Sequence, residues 1–357
     1  MDTVDFIGKG TAQGEVAQMM LNSGSLNPGK LRPWIGKDGK TYVTVFTGGS
    51  PTKKENYKTY ALNNNAGTLR PDEWKALDEA ILPIAESRLS GITDLIGKGL
   101  VYNVGNAMGT TVLESHTVSD AMEAELSMDG VTRGQGDRPV YGTTFLPLPI
   151  IHVDYEINER VLSSSRMLGN PLDTTSAERA ARKVAEKLEA MLFASQQYTF
   201  GGGTIYSYLN FPHRNLASLT KAWDTATGAE IVADVLALKQ DSIDNHFYGP
   251  WKLYVPVGYE TVLDGDYDST RGNTIRERIL AIAGIESVSV NDTLPANNVL
   301  LVQMTSDVVR LVRGMGIQNI QWKTEGIFVN KYKVITIQVP QIRADHNNKT
   351  GIVHATV

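Results

Sequence analysis

The sequence predicts an α+β protein, and three patterns support this prediction. A long amphipathic helix starts near Thr175, at residues that commonly cap helices. Residues 151 to 158 alternate between apolar and polar side chains, which is typical of a strand with one solvated face. Residues 229 to 303 alternate between helix-like and strand-like segments, which indicates a compact mixed domain.

The composition is that of a globular protein without disulfides. The chain has 357 residues, of which 41% are hydrophobic and 20% charged, so we expect two core-forming regions plus extended segments. It contains no cysteine, which excludes disulfides and thiolate metal sites. No uncharged apolar run approaches the roughly 20 residues that span a bilayer, and the acidic start Met1-Asp2 is not typical of a secretory signal. We therefore expect no membrane partner.

Charge is unevenly distributed along the chain. The net charge is -5, from 34 Lys and Arg against 39 Asp and Glu, which argues against a protein whose main task is to bind phosphate groups. Residues 1 to 70 are rich in Gly, Asn, Thr and Lys and carry nine Lys and Arg against five Asp and Glu. We expect a basic, extended arm on an acidic body, with a solvated tail as the alternative.

The first helix is predicted from Asp72 to about Ile96, where apolar residues recur at helical spacing. Pro83 is expected to kink or split it, because proline lacks the N–H that a helix interior needs. A polar, Gly-rich stretch follows and leads into the alternating residues 151 to 158. We therefore expect residues 110 to 160 to form one long β-hairpin.

The strongest local signal is Thr175-Ser176-Ala177-Glu178, the start of the long helix. In this order a Thr hydroxyl and a Glu carboxylate can each bond to a free amide, which makes a capping box. Apolar residues then recur in steps of three and four, so the helix is expected to lie on a neighbouring element along its whole length. These residues are Ala177, Ala180, Ala181, Val184, Ala185, Leu188, Met191 and Leu192.

A second region follows Gly201-Gly202-Gly203. Capping boxes at Thr227 with Glu230 and at Thr274 with Glu277 predict two helices there. The predicted elements are a helix near 229–245, a strand at Lys252–Pro256, a helix near 274–283, a strand at Val299–Gln303, and further strands at Lys333–Val339 and Gly351–Val357.

The sequence lacks the common motifs of enzymes and cofactor sites. Gly8-Lys9-Gly10-Thr11 does not have the glycine spacing of a phosphate-binding loop. The six histidines form no helical pair that would bind zinc, and no serine has the flanking glycines of a nucleophile elbow. We predict no catalytic residue, no cofactor and no metal, although a hydrolase whose triad is recognisable only by geometry stays open.

The most unusual local cluster is the acidic loop, residues 264 to 273. Asp264, Asp266 and Asp268 stand at alternate positions, as at the start of a calcium-binding loop. Ser269 occupies the position where such a loop needs glycine, and Ile275 the position where it needs a bidentate glutamate. We therefore expect an exposed acidic turn in front of the next helix.

Three stretches, taken in order, carry a resemblance to a known family. Asp72-Glu73-Trp74-Lys75-Ala76-Leu77-Asp78-Glu79 is similar to the amino-terminal helix of encapsulins. Thr144-Phe145-Leu146-Pro147-Leu148-Pro149-Ile150-Ile151 is similar to the strand that returns from the family's extended loop. Ala177-Glu178-Arg179-Ala180-Ala181-Arg182-Lys183-Val184-Ala185-Glu186, with Met191-Leu192-Phe193, is similar to its long spine helix. Over residues 70 to 357 the chain thus resembles the Hong Kong 97 capsid fold of tailed phages and encapsulins.

The resemblance implies a division of the chain. The fold would combine a peripheral domain with the spine helix and a β-sheet, an axial α/β domain, an extended β-hairpin loop and an N-terminal arm. The implied parts are the arm at 1–70, a peripheral helix region at 71–109, the extended loop at 110–160, more of the peripheral domain at 161–214 with its spine helix at 175–195, the axial domain at 215–310, and peripheral strands at 311–357.

The implied function is that of a major capsid protein. Copies of the chain would form pentamers and hexamers of an icosahedral shell around a phage genome, assembled in the bacterial cytoplasm and kept in the virion. Its partners would be itself, packaged double-stranded DNA bound without sequence specificity, and scaffold, portal and cement proteins. No lysine lies between Lys98 and Lys183, so we expect no isopeptide cross-link from the extended loop. An encapsulin compartment around a cargo enzyme is the alternative, which the 70-residue arm disfavours.

The resemblance also implies three groups of site residues. A loop at the axis of each capsomer would contain Asp264, Asp266, Asp268 and Arg271. The extended loop that contacts a neighbouring subunit would contain Phe145, Leu146, Leu148, Ile151 and Tyr155. The spine helix would contain Thr175, Glu178, Val184, Leu188 and Leu192.

Overall fold

The computed structural model describes most of the chain beyond the predicted arm, and there it combines helices with β-sheets. The described residues are 4–6, 10–12, 34–46, 57–62, 69–105, 108–118, 128, 141–168, 174–267, 272–325 and 328–357. Most of the arm and residues 119–140, apart from Met128, therefore lie outside the described residues. The α+β prediction is confirmed.

The α-helices are α1 (Pro71–Arg88), α2 (Ser90–Gly97), α3 (Glu159–Leu168), α4 (Thr175–Phe193), α5 (Gly228–Asp244), α6 (Glu260–Leu263) and α7 (Ile275–Leu280). The strands before α4 are β1 (Val4–Phe6), β2 (Gly10–Ala12), β3 (Trp34–Ile35), β4 (Thr41–Phe46), β5 (Tyr57–Leu62), β6 (Val101–Asn103), β7 (Val112–Val118), β8 (Tyr141–Pro147) and β9 (Ile151–Asn158). The later strands are β10 (Tyr198–Phe200), β11 (Gly203–Ile205), β12 (Asn215–Ser218), β13 (Trp251–Pro256), β14 (Ile285–Asn291), β15 (Asn298–Gln303), β16 (Val309–Glu325), β17 (Val329–Ile342) and β18 (Ile352–Thr356).

Two larger sheets organise these elements. A four-stranded sheet has the order β6-β16-β17-β9, and a five-stranded sheet has the order β12-β18-β15-β13-β14. Helices α1 and α4 and one side of each sheet contribute to the largest hydrophobic core. The other side of the five-stranded sheet forms a second core with α5 and α7.

The long helix α4 is the spine of the larger core. Its apolar stripe is buried, with Val184, Leu188 and Leu192 fully inaccessible to solvent, as the spacing predicted. It packs on β9 and β17 and on α1. From α1, Trp74 meets Tyr332 of β17 edge-on, with ring centroids 6.0 Å apart.

The start of α4 corrects the capping-box prediction at Thr175. The cap residue is Thr174, and its backbone is already helical, with φ -93° and ψ -4°. Its hydroxyl makes no bond to a backbone N–H of the first turn and instead donates to the Glu178 carboxylate. A cap residue normally has an extended backbone, which aims its hydroxyl at the N–H groups of the first turn. Thr174 has a helical backbone instead, so its hydroxyl does not cap the helix, and Thr175 is the first helical residue.

The helix break near residue 90 also differs from the prediction. Helix α1 continues through Pro83, and the chain leaves helical geometry at Leu89, with φ -101° and ψ 69°. Leu89 is buried, and the first groups of α2 bond to the Glu189 side chain of α4. A partner distant in sequence thus sets the position of the break.

The extended hairpin is shorter than predicted. Strands β7 and β8 pair from Val112 with Pro147 to Val118 with Tyr141. Strand β9 leaves this hairpin and pairs with β17 instead, which places Ile151 and Tyr155 in the four-stranded sheet, against the larger core. The alternation from 151 to 158 correctly indicated a strand with one wet face, but alternation does not identify the neighbouring strand.

The last strand corrects the predicted domain boundary at the C-terminal end. Strand β18 lies inside the five-stranded sheet, parallel to β12 and antiparallel to β15. Residues 352–355 are all buried, as expected of a central strand. The predicted capping boxes at Thr227 and Thr274, which begin α5 and α7 in this domain, are both confirmed.

His354 of β18 makes the five-stranded sheet sensitive to acid. It is 6% exposed, accepts a hydrogen bond at Nδ1 from Arg214 Nε at 3.2 Å, and lies 2.7 Å from Asn298 Oδ1 through Nε2. Arginine is only a donor, so the imidazole is neutral and Nε2–H donates to Asn298. Burial, with the nearby Arg214 charge, lowers the His354 pKa to about 4.

We expect the protein to lose stability as the pH falls from about 6.5, the pKa of an unfolded histidine, towards the folded pKa of about 4. In this window the unfolded chain binds a proton at residue 354 that the folded chain excludes. The measurement is urea unfolding between pH 7.5 and pH 4.5. His354→Gln should flatten this part of the profile, and an unchanged slope would contradict the assignment.

Candidate functional site

Polar side chains around α2, most of them buried, join the spine helix α4 to the five-stranded sheet, and we call them the junction cluster. It consists of Asp94, Glu189, Lys252, Tyr254 and Asn291. These residues come from α2, from α4 and from strands β13 and β14. The cluster therefore connects the spine helix to the edge of the five-stranded sheet.

Glu189 is the centre of the junction cluster and is 1% exposed. Its Oε1 accepts hydrogen bonds from the Ser90 hydroxyl and the Gly91 N–H, both at 2.7 Å, and from Asn291 Nδ2 at 2.8 Å. The carboxylate thus caps the N-terminus of α2, where free N–H groups favour negative charge. Burial raises the pKa of Glu189, and its hydrogen bonds oppose this shift in part.

Asp94 forms the second half of the junction cluster. Its Oδ2 lies 2.6 Å from Lys252 Nζ and accepts a hydrogen bond from the Tyr254 hydroxyl at 2.9 Å. The fully buried Tyr208 lies beside this group, its ring stacked with that of Tyr254 at a centroid distance of 6.3 Å. Burial raises the pKa of Tyr208 and keeps its hydroxyl protonated.

Sequence reasoning did not identify the junction cluster. One signal was present, because Glu189 lies four residues after Ala185 and so falls on the apolar stripe of α4. A charged residue on a buried stripe indicates a distant partner. The identity of that partner, at residues 90, 91 and 291, is a tertiary property.

The hairpin divides the predicted loop residues into an anchored and an exposed group. Leu146 and Leu148 are each 5% exposed and belong to a third hydrophobic cluster with strands β16 and β17. Tyr141 is 67% exposed and Phe145 43% exposed on the same strand. The base of the hairpin is thus fixed in the body, while its outer part presents aromatic side chains to solvent.

A glycine holds the base of the hairpin against the neighbouring turn. A Cβ atom added at Gly203 of β11 would collide with the Phe145 carbonyl oxygen. Only glycine therefore allows β11 to approach β8 this closely. This contact sets the direction in which the hairpin leaves the body.

The acidic loop is partly neutralised within the chain. Asp264 forms an ion pair with Arg276 of α7 at 2.8 Å, although Asp264 stays 59% exposed. Asp266 is exposed and forms a β-bridge with Thr274. Asp268 and Arg271 lie outside the described residues. One of the two described acidic residues predicted for this loop therefore already has a basic partner.

The described residues contain no group of three or more His, Asp or Glu side chains arranged to hold a metal ion. In the same part of the chain, none of the helices is both long enough and apolar enough to cross a membrane.

Comparison with known proteins identifies a family and a fold. The model of a family of unknown function, DUF6260, matches residues 63–355. Among curated proteins, none matches the sequence.

Solved structures from a virus-like particle and from two capsids are similar to this chain. A virus-like particle from Pyrococcus furiosus has 17% identity and a TM-score of 0.58, with 79% of this chain and 98% of that chain covered. The capsid of Myoviridae phage XM1 has 11% identity and a TM-score of 0.57, with coverage of 73% and 90%. The capsid of an empty GTA particle has 12% identity and a TM-score of 0.52, with coverage of 74% and 89%. The chain therefore has the Hong Kong 97 phage capsid fold, as its resemblance implied.

We expect Glu189→Leu to reduce the free energy of unfolding by about 3 kcal/mol, because the buried donors at Gly91 and Asn291, together with the Ser90 hydroxyl, would lose their acceptor. Urea unfolding measures the change. The matched control is Glu186→Leu, one turn earlier on the same helix, where an exposed carboxylate pairs with Arg182 and Lys183. That control should cost less than about 1 kcal/mol, and equal losses would contradict a special role for Glu189.

Proposed function

We propose that this chain is a shell-forming major capsid protein. It belongs to the family DUF6260 and has the Hong Kong 97 capsid fold. The observation that carries the proposal is the coverage of the Pyrococcus particle subunit, of which 98% aligns with this chain. Nearly all of a subunit that forms a closed particle thus has a counterpart here. Fold alone does not specify function, so the surfaces of this chain must supply the rest of the argument.

The hairpin has the properties of an assembly element. Its base is fixed by the buried Leu146 and Leu148 and by the close contact at Gly203, so its direction is set before any partner binds. A preset direction lowers the conformational entropy that binding would otherwise cost. Its strand β8 exposes Tyr141 and Phe145, residue types that are enriched where protein surfaces meet.

In the proposed mechanism, copies of the chain associate through many modest contacts. Identical subunits form closed, symmetric assemblies when each contact recurs with a fixed rotation. The closed forms proposed here are pentamers and hexamers of an icosahedral shell, which encloses double-stranded DNA in a virion assembled in the bacterial cytoplasm. Scaffold and portal proteins are the proposed partners of assembly, and no catalytic step is required.

The proposed shell is held together without an isopeptide bond from the hairpin. Such a bond needs a lysine amine, and the sequence has none between Lys98 and Lys183, a range that includes both hairpin strands. Non-covalent contacts and cement proteins then have to supply the stability of the particle. A ladder of linked subunits in denaturing gels of mature particles would contradict this part of the proposal.

The direct test is expression of the chain alone, followed by electron microscopy of the purified protein. Closed particles support the shell function, and their contents distinguish a genome shell from a compartment that holds a cargo enzyme. If the chain stays dispersed even when the other structural proteins of its source are co-expressed, the proposal is wrong.

We expect the double substitution Tyr141→Ser and Phe145→Ser to reduce particle yield at least tenfold while leaving the melting temperature of the dispersed chain nearly unchanged. Tyr141 is 67% exposed and Phe145 43% exposed, so their loss removes more association surface than core. The matched control is Tyr141→Phe with Phe145→Tyr, which keeps the aromatic surface and should assemble normally. Normal particle yield from the serine variant would exclude the hairpin as an assembly element.

A further inference from the structure

A groove of about 590 Å³ lies between the hairpin and the end of β17. One wall is formed by hairpin residues, including His116 and Thr143, and another by residues that follow β17, including Arg343 and His346. His213 lies at a third side. The groove is open to solvent and touches the third hydrophobic cluster at Leu146.

The walls of the groove are tied together by a chain of hydrogen bonds. Arg310 Nε donates to Gln341 Oε1 at 2.7 Å, and Gln341 Nε2 donates to Ser115 Oγ of the hairpin at 3.3 Å. The Arg310 guanidinium also lies over the Tyr102 ring, 4.5 Å from its centroid. The groove is therefore formed before any ligand arrives, which favours specific binding.

Positive charge predominates in and beneath the groove. Burial lowers the pKa of Arg310, and the charge of the nearby Arg343 lowers it further. Neither guanidinium forms an ion pair with another described residue; the Arg343 guanidinium donates to the Ser306 carbonyl, at 3.1 Å. Asp345 is the one acidic residue among those that line the groove, and its Oδ1 already accepts the Lys349 N–H at 2.7 Å.

The lining is also partly apolar. Phe145, Leu146 and Phe211 contribute to it, next to the histidines and threonines. A ligand that fits must therefore combine carboxylates, or other anions, with apolar groups. A polyanion without apolar side groups, such as a nucleic acid backbone, would leave the apolar part uncovered.

The chain contains a segment with this composition. Residues 119–129, Ser-Asp-Ala-Met-Glu-Ala-Glu-Leu-Ser-Met-Asp, carry four acidic residues alternating with Ala, Met and Leu. No Lys or Arg occurs from residue 99 to 132. The segment follows strand β7 in the chain, and eleven residues in a fully extended conformation would span about 35 Å. A second copy of the chain is thus within its reach.

We propose that the groove lined by His116, His213 and Arg343 binds the acidic segment 119–129 of a second copy of this chain. This inference rests on the proposed shell function and deepens it, because it names the receiving surface and the charges on both sides. Arg343 and Arg310 supply the positive field, the histidines donate hydrogen bonds to carboxylates, and the apolar lining receives Met122 or Leu126.

The first test uses a fluorescent peptide of residues 117–131 and the dispersed full-length chain, with binding followed by anisotropy. We expect saturable binding that weakens as salt rises, because both partners are exposed charges. Replacing Asp120, Glu123, Glu125 and Asp129 in the peptide by Asn or Gln should abolish binding. This peptide control leaves the protein unchanged, so it cannot fail through misfolding.

Arg343→Glu should weaken peptide binding at least tenfold, and Arg343→Gln should weaken it less, with the melting temperature of each variant checked. Equal binding by the wild type and Arg343→Glu would overturn the proposal. So would tight binding of a 20-nucleotide DNA strand without any binding of the peptide, since the groove would then be a phosphate site.

A charge exchange tests the same contact during assembly. Arg343→Glu should block particle formation, and the added substitutions Glu123→Arg and Glu125→Arg should restore it. The matched control adds Asp266→Arg instead, an exposed acidic residue of the acidic loop, and should not restore it. Peptide binding without particles from the wild type would count against the shell function alone, whereas wild-type particles together with unimpaired Arg343→Glu particles would count against the groove.

Discussion

The Glu189 carboxylate is the interaction on which the position of the spine helix relative to α2 and the five-stranded sheet depends. It is almost fully buried in the spine helix, and its hydrogen bonds reach the first residues of α2 and Asn291 of the five-stranded sheet. A buried carboxylate is tolerated only where several donors converge on it. The first residues of α2 and Asn291 therefore both have to lie close to Glu189. This requirement constrains the helix break at Leu89, the direction of α2 and the edge of the five-stranded sheet. The ion pair between Asp94 and Lys252 adds a second contact between α2 and the five-stranded sheet, about one helical turn further along α2.

The features that the sequence predicted are those that depend on neighbouring residues. The apolar stripe of α4 and the capping boxes at Thr227 and Thr274 depend on groups within a few positions, and all of them formed as predicted. Apart from the capping box at Thr175, where the local prediction failed, the errors concern partners distant in sequence. Strand β9 joined β17 rather than the hairpin, and β18 joined the five-stranded sheet, because alternation and β-propensity identify a strand but leave its neighbours open. The junction cluster was missed for the same reason.

The surfaces that we propose for assembly differ in how much of each is already buried or paired within the chain. Leu146 and Leu148 are buried within the chain, so they stabilise the base of the hairpin, whereas Tyr141 and Phe145 keep exposed surface for a partner. Asp264 has part of its charge compensated by Arg276. Repulsion between acidic loops around a symmetry axis would then depend more on Asp266 and on the charges beyond it. Screening by salt would weaken that repulsion further.

The place of β18 makes the five-stranded sheet depend on residues that are far apart in the chain. The strand lies between β12 and β15, although about 130 residues separate it from β12 in the chain. Without residues 352–356, the edge strand β12 would lose its neighbour and β15 would have an unpaired edge. A change that displaces β18 would therefore expose two strand edges at once, and unpaired edges are sites where other chains can add.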